Sequence, residues 1–166
     1  MEIRIRATGQ VMLEDELRRW AKDNNGPSWD RTTDEVLEAL GADVVFEGPQ
    51  ATPENHYQFS MRQGVEQDAS GRWFTKYVLG PIFTDSEDAT AAEQEAAYIA
   101  QKDATQAESV RSQRTQLLKD SDWTQLDDTP FDNAKKMAWA NYRQALRDIP
   151  DQAGFPWDIQ WPTQPE

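Results

Sequence analysis

SDWTQLDDTPFDNAKKMAWANYRQALRDIPDQAGFPWDIQWPTQPE, residues 121–166, decides how the carboxy-terminal part of this chain folds. Thr129 offers a hydroxyl N-cap and Pro130 suits the first helical position, where a missing N–H costs nothing. Asp132 then sets negative charge at the positive end of the helix dipole. The reading is a helix from about Pro130 to Arg147, ended by Pro150. Trp139, Tyr142, Leu146 and Ile149 fall at i, i+3, i+7 and i+10, so one face is large and apolar, while Lys135, Lys136, Asn141, Arg143 and Arg147 occupy much of the rest. Beyond the helix, Phe155, Trp157 and Trp161 sit among prolines that hold an extended loop at little ordering cost. Two roles fit these aromatics: packing on the protein's own helices, or anchoring a partner. Trp139, Tyr142, Phe155, Trp157 and Trp161 are the candidate partner-binding residues, because Trp and Tyr dominate interface energetics.

Upstream, the composition changes at Thr84. From Asp85 to Lys119 there is no Gly or Pro, and Ala, Glu, Gln, Asp, Lys and Arg dominate. A helix of about 30 residues and about 45 Å follows from the rise of 1.5 Å per residue, with Thr84 and Glu87 as its capping box. Ala92, Ala96, Ile99, Asp103, Ala107, Val110, Arg114 and Leu117 repeat at a spacing near 3.5, interrupted by Asp103 and Arg114. A solvated connector or one arm of a helical hairpin is favoured over self-association, since alanine outnumbers leucine in the stripe.

The amino-terminal part reads as a small α+β module. Glu2 to Arg6 alternates charged and aliphatic residues, with Ile3 and Ile5 on one face, as a half-exposed strand does. Val11 to Lys22 suits a short helix built on Leu13, Leu17 and Trp20, broken by Asn24, Asn25, Gly26 and Pro27. Thr32 with Glu35 forms a capping box before VLEAL, and Gly41 closes that second helix. Val44 to Phe46 is a further short strand. His56 to Arg62 and Arg72 to Leu79 flank the polar GVEQDASG connection and read as a β-hairpin. The expected fold class is therefore α+β in three parts: residues 1–83 as the amino-terminal module, 84–120 as the long helical connector, and 121–166 as the carboxy-terminal region.

Composition excludes several functions. The chain has 166 residues, 37% of them hydrophobic, with a mean hydropathy of −0.87, a lean core for its length. Seven Trp residues argue against general disorder. A net charge of −13 repels nucleic acid phosphates and anionic membrane surfaces, so neither is an expected partner. Without cysteine there is no disulfide framework, thiol catalysis or cysteine metal site. No stretch approaches the about 20 apolar residues of a membrane helix, and Met1 to Trp20 lacks a signal-peptide core.

No chemistry assembles in the sequence. His56 is the one histidine and lies in an expected strand without a partner pattern. Asp120, Asp122, Asp127 and Asp128 lack the Gly and terminal Glu of an EF-hand loop and read as caps and solvated turns. Asp85, Glu87 and Asp88 suit a helix dipole rather than a pair of catalytic acids. Phosphate loops, dinucleotide glycines and nucleophile elbows are all missing. The protein is not expected to be an enzyme, and no cofactor is expected.

The carboxy-terminal residues nevertheless resemble a known family. SDWTQL, then WANYRQALRDIP, then GFPWDIQWP resemble the end of tail assembly chaperone and tail fibre assembly proteins of tailed bacteriophages, through Asp122, Trp123, Trp139, Tyr142, Arg143, Leu146, Arg147, Pro156, Trp161 and Pro162. MEIRIRATGQVM, FEGPQAT and GVEQDASGRWFTKYVLGP are similar to a small module on related cyanophage proteins. The resemblance implies a protein that binds the phage tail fibre and assists its folding or trimerisation in the cytoplasm of the infected host, then leaves or stays bound. The alternative it implies is a permanent structural component of the virion tail, adapting fibre to baseplate. It brings no catalytic residues with it.

Overall fold

The computed structural model describes residues 1–166. The chain divides into two compact units, Met1–Ile82 and Phe83–Glu166. The architecture is α+β, as the sequence implies: a sheet with two short helices in the first unit, and a helical hairpin with a Trp- and Pro-rich tail in the second.

In the first unit the order is β1 (Glu2–Ile5), β2 (Val11–Leu13), α1 (Glu14–Asp23), α2 (Asp34–Ala39), β3 (Ala42–Phe46), β4 (Phe59–Gln67) and β5 (Trp73–Gly80). They build one sheet in the order β2-β1-β3-β5-β4, parallel only between β3 and β5. Ile3 and Ile5 are buried and alternate with half-exposed Glu2 and Arg4. With Met12 and Ala42 they form a core closed by Leu17 of α1 and Leu37 of α2. The sheet also curls. Arg62 of β4 grips Glu2 of β1 through two hydrogen bonds of 2.6 and 2.7 Å, although β3 and β5 lie between them in the sheet. That contact holds the Glu2 carboxyl below the usual carboxylate range.

Several boundaries differ from the sequence reading, each for a local reason. Val11 to Leu13 pairs with β1 as a strand, so the helix expected from Val11 begins only at Glu14, where Glu16 accepts from the Leu13 N–H at 2.9 Å. α2 is capped by Thr33, not Thr32, because the Thr32 hydroxyl is engaged elsewhere: it accepts from the Trp29 indole at 2.9 Å and donates to Glu14 at 2.5 Å. The hairpin is present, but its first strand runs Phe59–Gln67 rather than His56–Arg62, continuing through a bulge between Arg62 and Val65. Its turn is set by Asp68, whose carboxylate accepts from the Ser70 and Arg72 backbone N–H groups at 2.9 Å each, with Gly71 at φ +85°, a conformation that favours glycine.

The second unit comprises α3 (Ala91–Asp120), a 3-10 turn (Asp122–Gln125), α4 (Asn133–Arg147) and a second 3-10 turn (Ile149–Asp151). α3 starts six residues later than the Asp85 expected, capped by Thr90 and Glu93 in a reciprocal box rather than by Thr84 and Glu87. Residues 85–89 prefer side-chain bonds: Ser86 accepts from the Ala89 N–H at 3.2 Å, and Asp85 from that of Ala91 at 2.7 Å. α4 likewise starts at Asn133 rather than Pro130, with Asp132 as the cap and Phe131 turned aside onto Trp123. The tail is not extended throughout, since Ala153–Trp157 form turns before the chain straightens.

Candidate functional site

The matter to be explained is where the aromatic residues of the second unit end up. Val110, Trp139, Tyr142, Leu146 and Ile149 form its core, with Leu117, Leu118, Phe131, Phe155, Ile159 and Trp161 packed around it. The stripe read on α3 thus meets the stripe read on α4.

A single arginine fastens the two helices. Arg143 donates through Nη1 to the Leu118 carbonyl at 2.7 Å and the Ser121 hydroxyl at 2.8 Å, and through Nη2 to Asp122 at 2.7 Å. Its side chain is 8% exposed, whereas that of Asp122 is 65% exposed. The guanidinium thereby meets a carbonyl in the last turn of α3, at the negative end of the helix, where a cation is electrostatically favoured. Ser121, itself buried, donates a hydrogen bond through its hydroxyl to the Leu117 carbonyl at 2.8 Å.

From that junction an aromatic chain runs outward. Tyr142 meets Trp139 edge-on at 5.7 Å between centroids, Trp139 meets Trp123 at 6.1 Å, and Trp123 meets Phe131 at 5.5 Å. Trp139 and Tyr142 are 4% and 6% exposed, and burial pushes the Tyr142 phenol up, helped by the nearby Asp120 charge. These two expected partner-binding residues lie inside the unit's own core. Trp123, by contrast, is 50% exposed, and Leu126, the residue after the 3-10 turn, is 58% exposed.

The tail folds back onto the helices. Phe155 and Trp161 lie half-buried against the core, and the Arg111 guanidinium stands 5.3 Å from the Phe155 ring centre. Trp157 donates its indole N–H to Asp103 at 2.6 Å. Gln152 clasps Gln160, accepting its N–H at 2.7 Å and donating to its carbonyl at 2.9 Å. The turn between them needs Gly154, since a Cβ there would stand 1.9 Å from the Asp158 carbonyl. Of the five expected partner-binding residues, the structure gathers Trp139, Tyr142, Phe155 and Trp161 in or against one core, ties Trp157 to Asp103 of α3, and leaves Phe155, Trp157 and Trp161 with part of their surface in solvent.

Two features of this region are not legible in the sequence. One is the bond from Trp157 to Asp103. Its signal was a charged residue at a helix position whose neighbours in the stripe are apolar. The other is the exposure of Trp123, which no periodicity reports because it sits in a turn. No group of three or more His, Asp or Glu side chains could hold a metal ion. Arg114 Nε, Trp139 Nε1 and Arg143 Nε are buried without a hydrogen-bond partner. What the unit offers chemically is aromatic surface held on rigid supports. No helix of the chain is long and apolar enough to cross a membrane.

Residues 107–166 match a family model described as "Phage tail assembly chaperone protein". The match covers well under half of the chain and takes in the second half of α3, the turn bearing Trp123, α4 and the tail. The resemblance carried by SDWTQL and the residues after it is borne out, and the match supports a role in phage tail assembly. No curated protein and no solved structure matches the chain.

Proposed function

We propose that this protein is a tail fibre assembly protein of a bacteriophage, binding the fibre protein in the cytoplasm of the infected host and assisting its folding or trimerisation. The observation that carries the reading is the match of residues 107–166 to tail assembly chaperones. The arrangement of that region supports it. A short helical hairpin, locked by Arg143, presents aromatic side chains at its turn and along its tail, where an incomplete fibre with exposed apolar surface could be covered. The half-exposed Phe155, Trp157 and Trp161 belong to this surface, and Trp139 and Tyr142 support it from within. The likeness of the first unit to modules of cyanophage proteins makes a phage of aquatic bacteria the proposed source.

Co-expression tests the proposal. Fibre made together with this protein should yield more soluble trimer on size-exclusion chromatography than fibre made alone, and an unchanged yield would remove the chaperone function. A second reading, a permanent adaptor in the virion tail, is favoured by α3, whose first half keeps most of its side chains exposed over several turns and so has surface for another neighbour. Mass spectrometry separates the two. Abundance in infected-cell lysate with absence from purified particles marks the transient chaperone, and stoichiometric presence in particles marks the adaptor.

A further inference from the structure

The turn between α3 and α4 has more exposed apolar surface than its own packing requires. Trp123 lies in the 3-10 turn and Leu126 follows directly after it with extended backbone, and each is at least half exposed. Trp123 is nevertheless held, because Phe131 and Trp139 both contact its ring. A large aromatic side chain fixed before binding loses little entropy when a partner covers it, which is how interface anchors behave.

The charge around this patch states what kind of partner fits. Asp127 and Asp128 follow Leu126 directly, both are exposed, and neither carboxylate is in an ion pair or a hydrogen bond. The cations of the turn come from α4 and are placed on other acceptors: the Lys135 ammonium lies 5.0 Å from the Phe131 ring centre, and Lys136 donates to the Asp127 carbonyl at 3.4 Å. Asp122 is already paired with Arg143, and Asp132 caps α4. Two carboxylates thus remain unneutralised beside two exposed apolar side chains, in a unit whose residues 83–166 carry 16 acidic and 8 basic side chains.

We propose that this turn is a docking site for a segment of a phage tail protein bearing Lys or Arg beside an apolar side chain. The apolar residue covers Trp123 and Leu126, and the cation pairs with Asp127 and Asp128. The inference rests on the tail-assembly reading and adds to it the place and chemistry of the contact, none of which involves the tail aromatics Phe155, Trp157 and Trp161.

Short overlapping synthetic peptides covering the tail fibre and the other tail proteins of the phage provide the test, with the full-length protein as the binder. Peptides that combine basic and apolar residues should bind, and Leu126→Lys or Trp123→Ala should weaken them about tenfold or more. Asp127→Asn with Asp128→Asn should weaken binding at about 0.1 M salt and flatten its dependence on salt up to about 1 M, where screening shortens from about 10 Å to about 3 Å. Leu126 is surface-exposed, so Leu126→Lys should keep the wild-type melting temperature and guards against misreading an unfolded Trp123 variant. The proposal is overturned if no peptide binds, if the bound peptides lack basic residues, or if Leu126→Lys and the paired Asp changes leave binding intact. Peptides drawn only from tail proteins other than the fibre would refute fibre binding and leave the docking site standing. Fibre bound equally by wild type and turn variants would do the reverse.

Discussion

Arg143 has the most to lose at the scale of single residues. Replacing it by Ala removes the charged donor from the Leu118 carbonyl and the Ser121 hydroxyl, in a site where Ser121 is 3% exposed, and leaves the carbonyl only its weaker bonds to the Ser121 N–H at 3.3 Å and hydroxyl at 3.0 Å. Losing two largely buried hydrogen bonds from a charged donor, each contributing about 1.5–3 kcal/mol, makes Arg143→Ala destabilising by about 3 kcal/mol, measurable by urea unfolding. Asp122→Asn should cost under about 1 kcal/mol, since its carboxylate is largely solvated. If both cost the same, the ion pair rather than the capping of α3 carries the stability. Leu146, with no exposed surface, has only apolar neighbours to lose, so Leu146→Ala should cost about 2–5 kcal/mol. At Trp157 the ring and the bond to Asp103 can be separated: Trp157→Phe keeps most of the packing and forfeits the hydrogen bond, at about 1 kcal/mol. Binding lost without loss of melting temperature in that variant would instead assign Trp157 to a partner.

Elements differ in how far their ends are protected. The first turn of α3 is held by Thr90 and Glu93, which bond each other's backbone N–H groups, with Asp85 accepting from the Ala91 N–H and Gln94 donating to the Thr84 carbonyl. Thr90→Ala should therefore cost about 1 kcal/mol locally and show as faster amide exchange in that first turn, with the melting temperature of the hairpin core unmoved. The β4–β5 turn responds to pH instead. Hydrogen bonds from Ser70 and Arg72 hold the Asp68 carboxyl down at about 2. A depressed carboxylate pKa means the stabilisation is complete above the ordinary Asp range and is lost as pH falls through about 2. The Asp68 carboxyl carbon, followed by NMR, should titrate with that midpoint, and the Ser70 and Arg72 amides should shift with it. A midpoint at the ordinary Asp value would mean the turn is open in solution. Caps also depend on the fold more than on the local string. Thr32 and Thr33, or Thr84 and Thr90, offer the same hydroxyl, and which one caps depends on bonds such as Trp29 to Thr32 that join residues through the fold.

At the scale of the whole molecule, each of the two units has its own core and its own hydrogen bonds. Residues 1–82 close around Ile3, Ile5 and Leu17, and residues 83–166 around Val110, Leu146 and Ile149. Expressed separately, each piece should fold, the first with a dispersed β-rich NMR spectrum and the second with a cooperative helical melt. Failure of both pieces, with the intact chain protecting both regions from amide exchange as one unit, would overturn this. The division also bears on assembly. Residues 83–166 alone should retain whatever partner binding the match to 107–166 implies.

By itself the sequence determined the elements and their apolar faces. Ile3 and Ile5 alternate because a strand turns every second residue inward, and Trp139, Tyr142, Leu146 and Ile149 align because a helix repeats every 3.6 residues. It also carried the family likeness, since SDWTQL and the residues after it are legible as a string. Tertiary structure alone decided which aromatics would be covered. Periodicity says that Trp139 and Tyr142 share a face but not what lies against that face, and it is silent about Trp123, whose turn has no period. Burial depends on long-range contact, here the return of α4 along α3 fixed by Arg143, and that closure sent the two helix aromatics inward while leaving Trp123 and Leu126 in solvent.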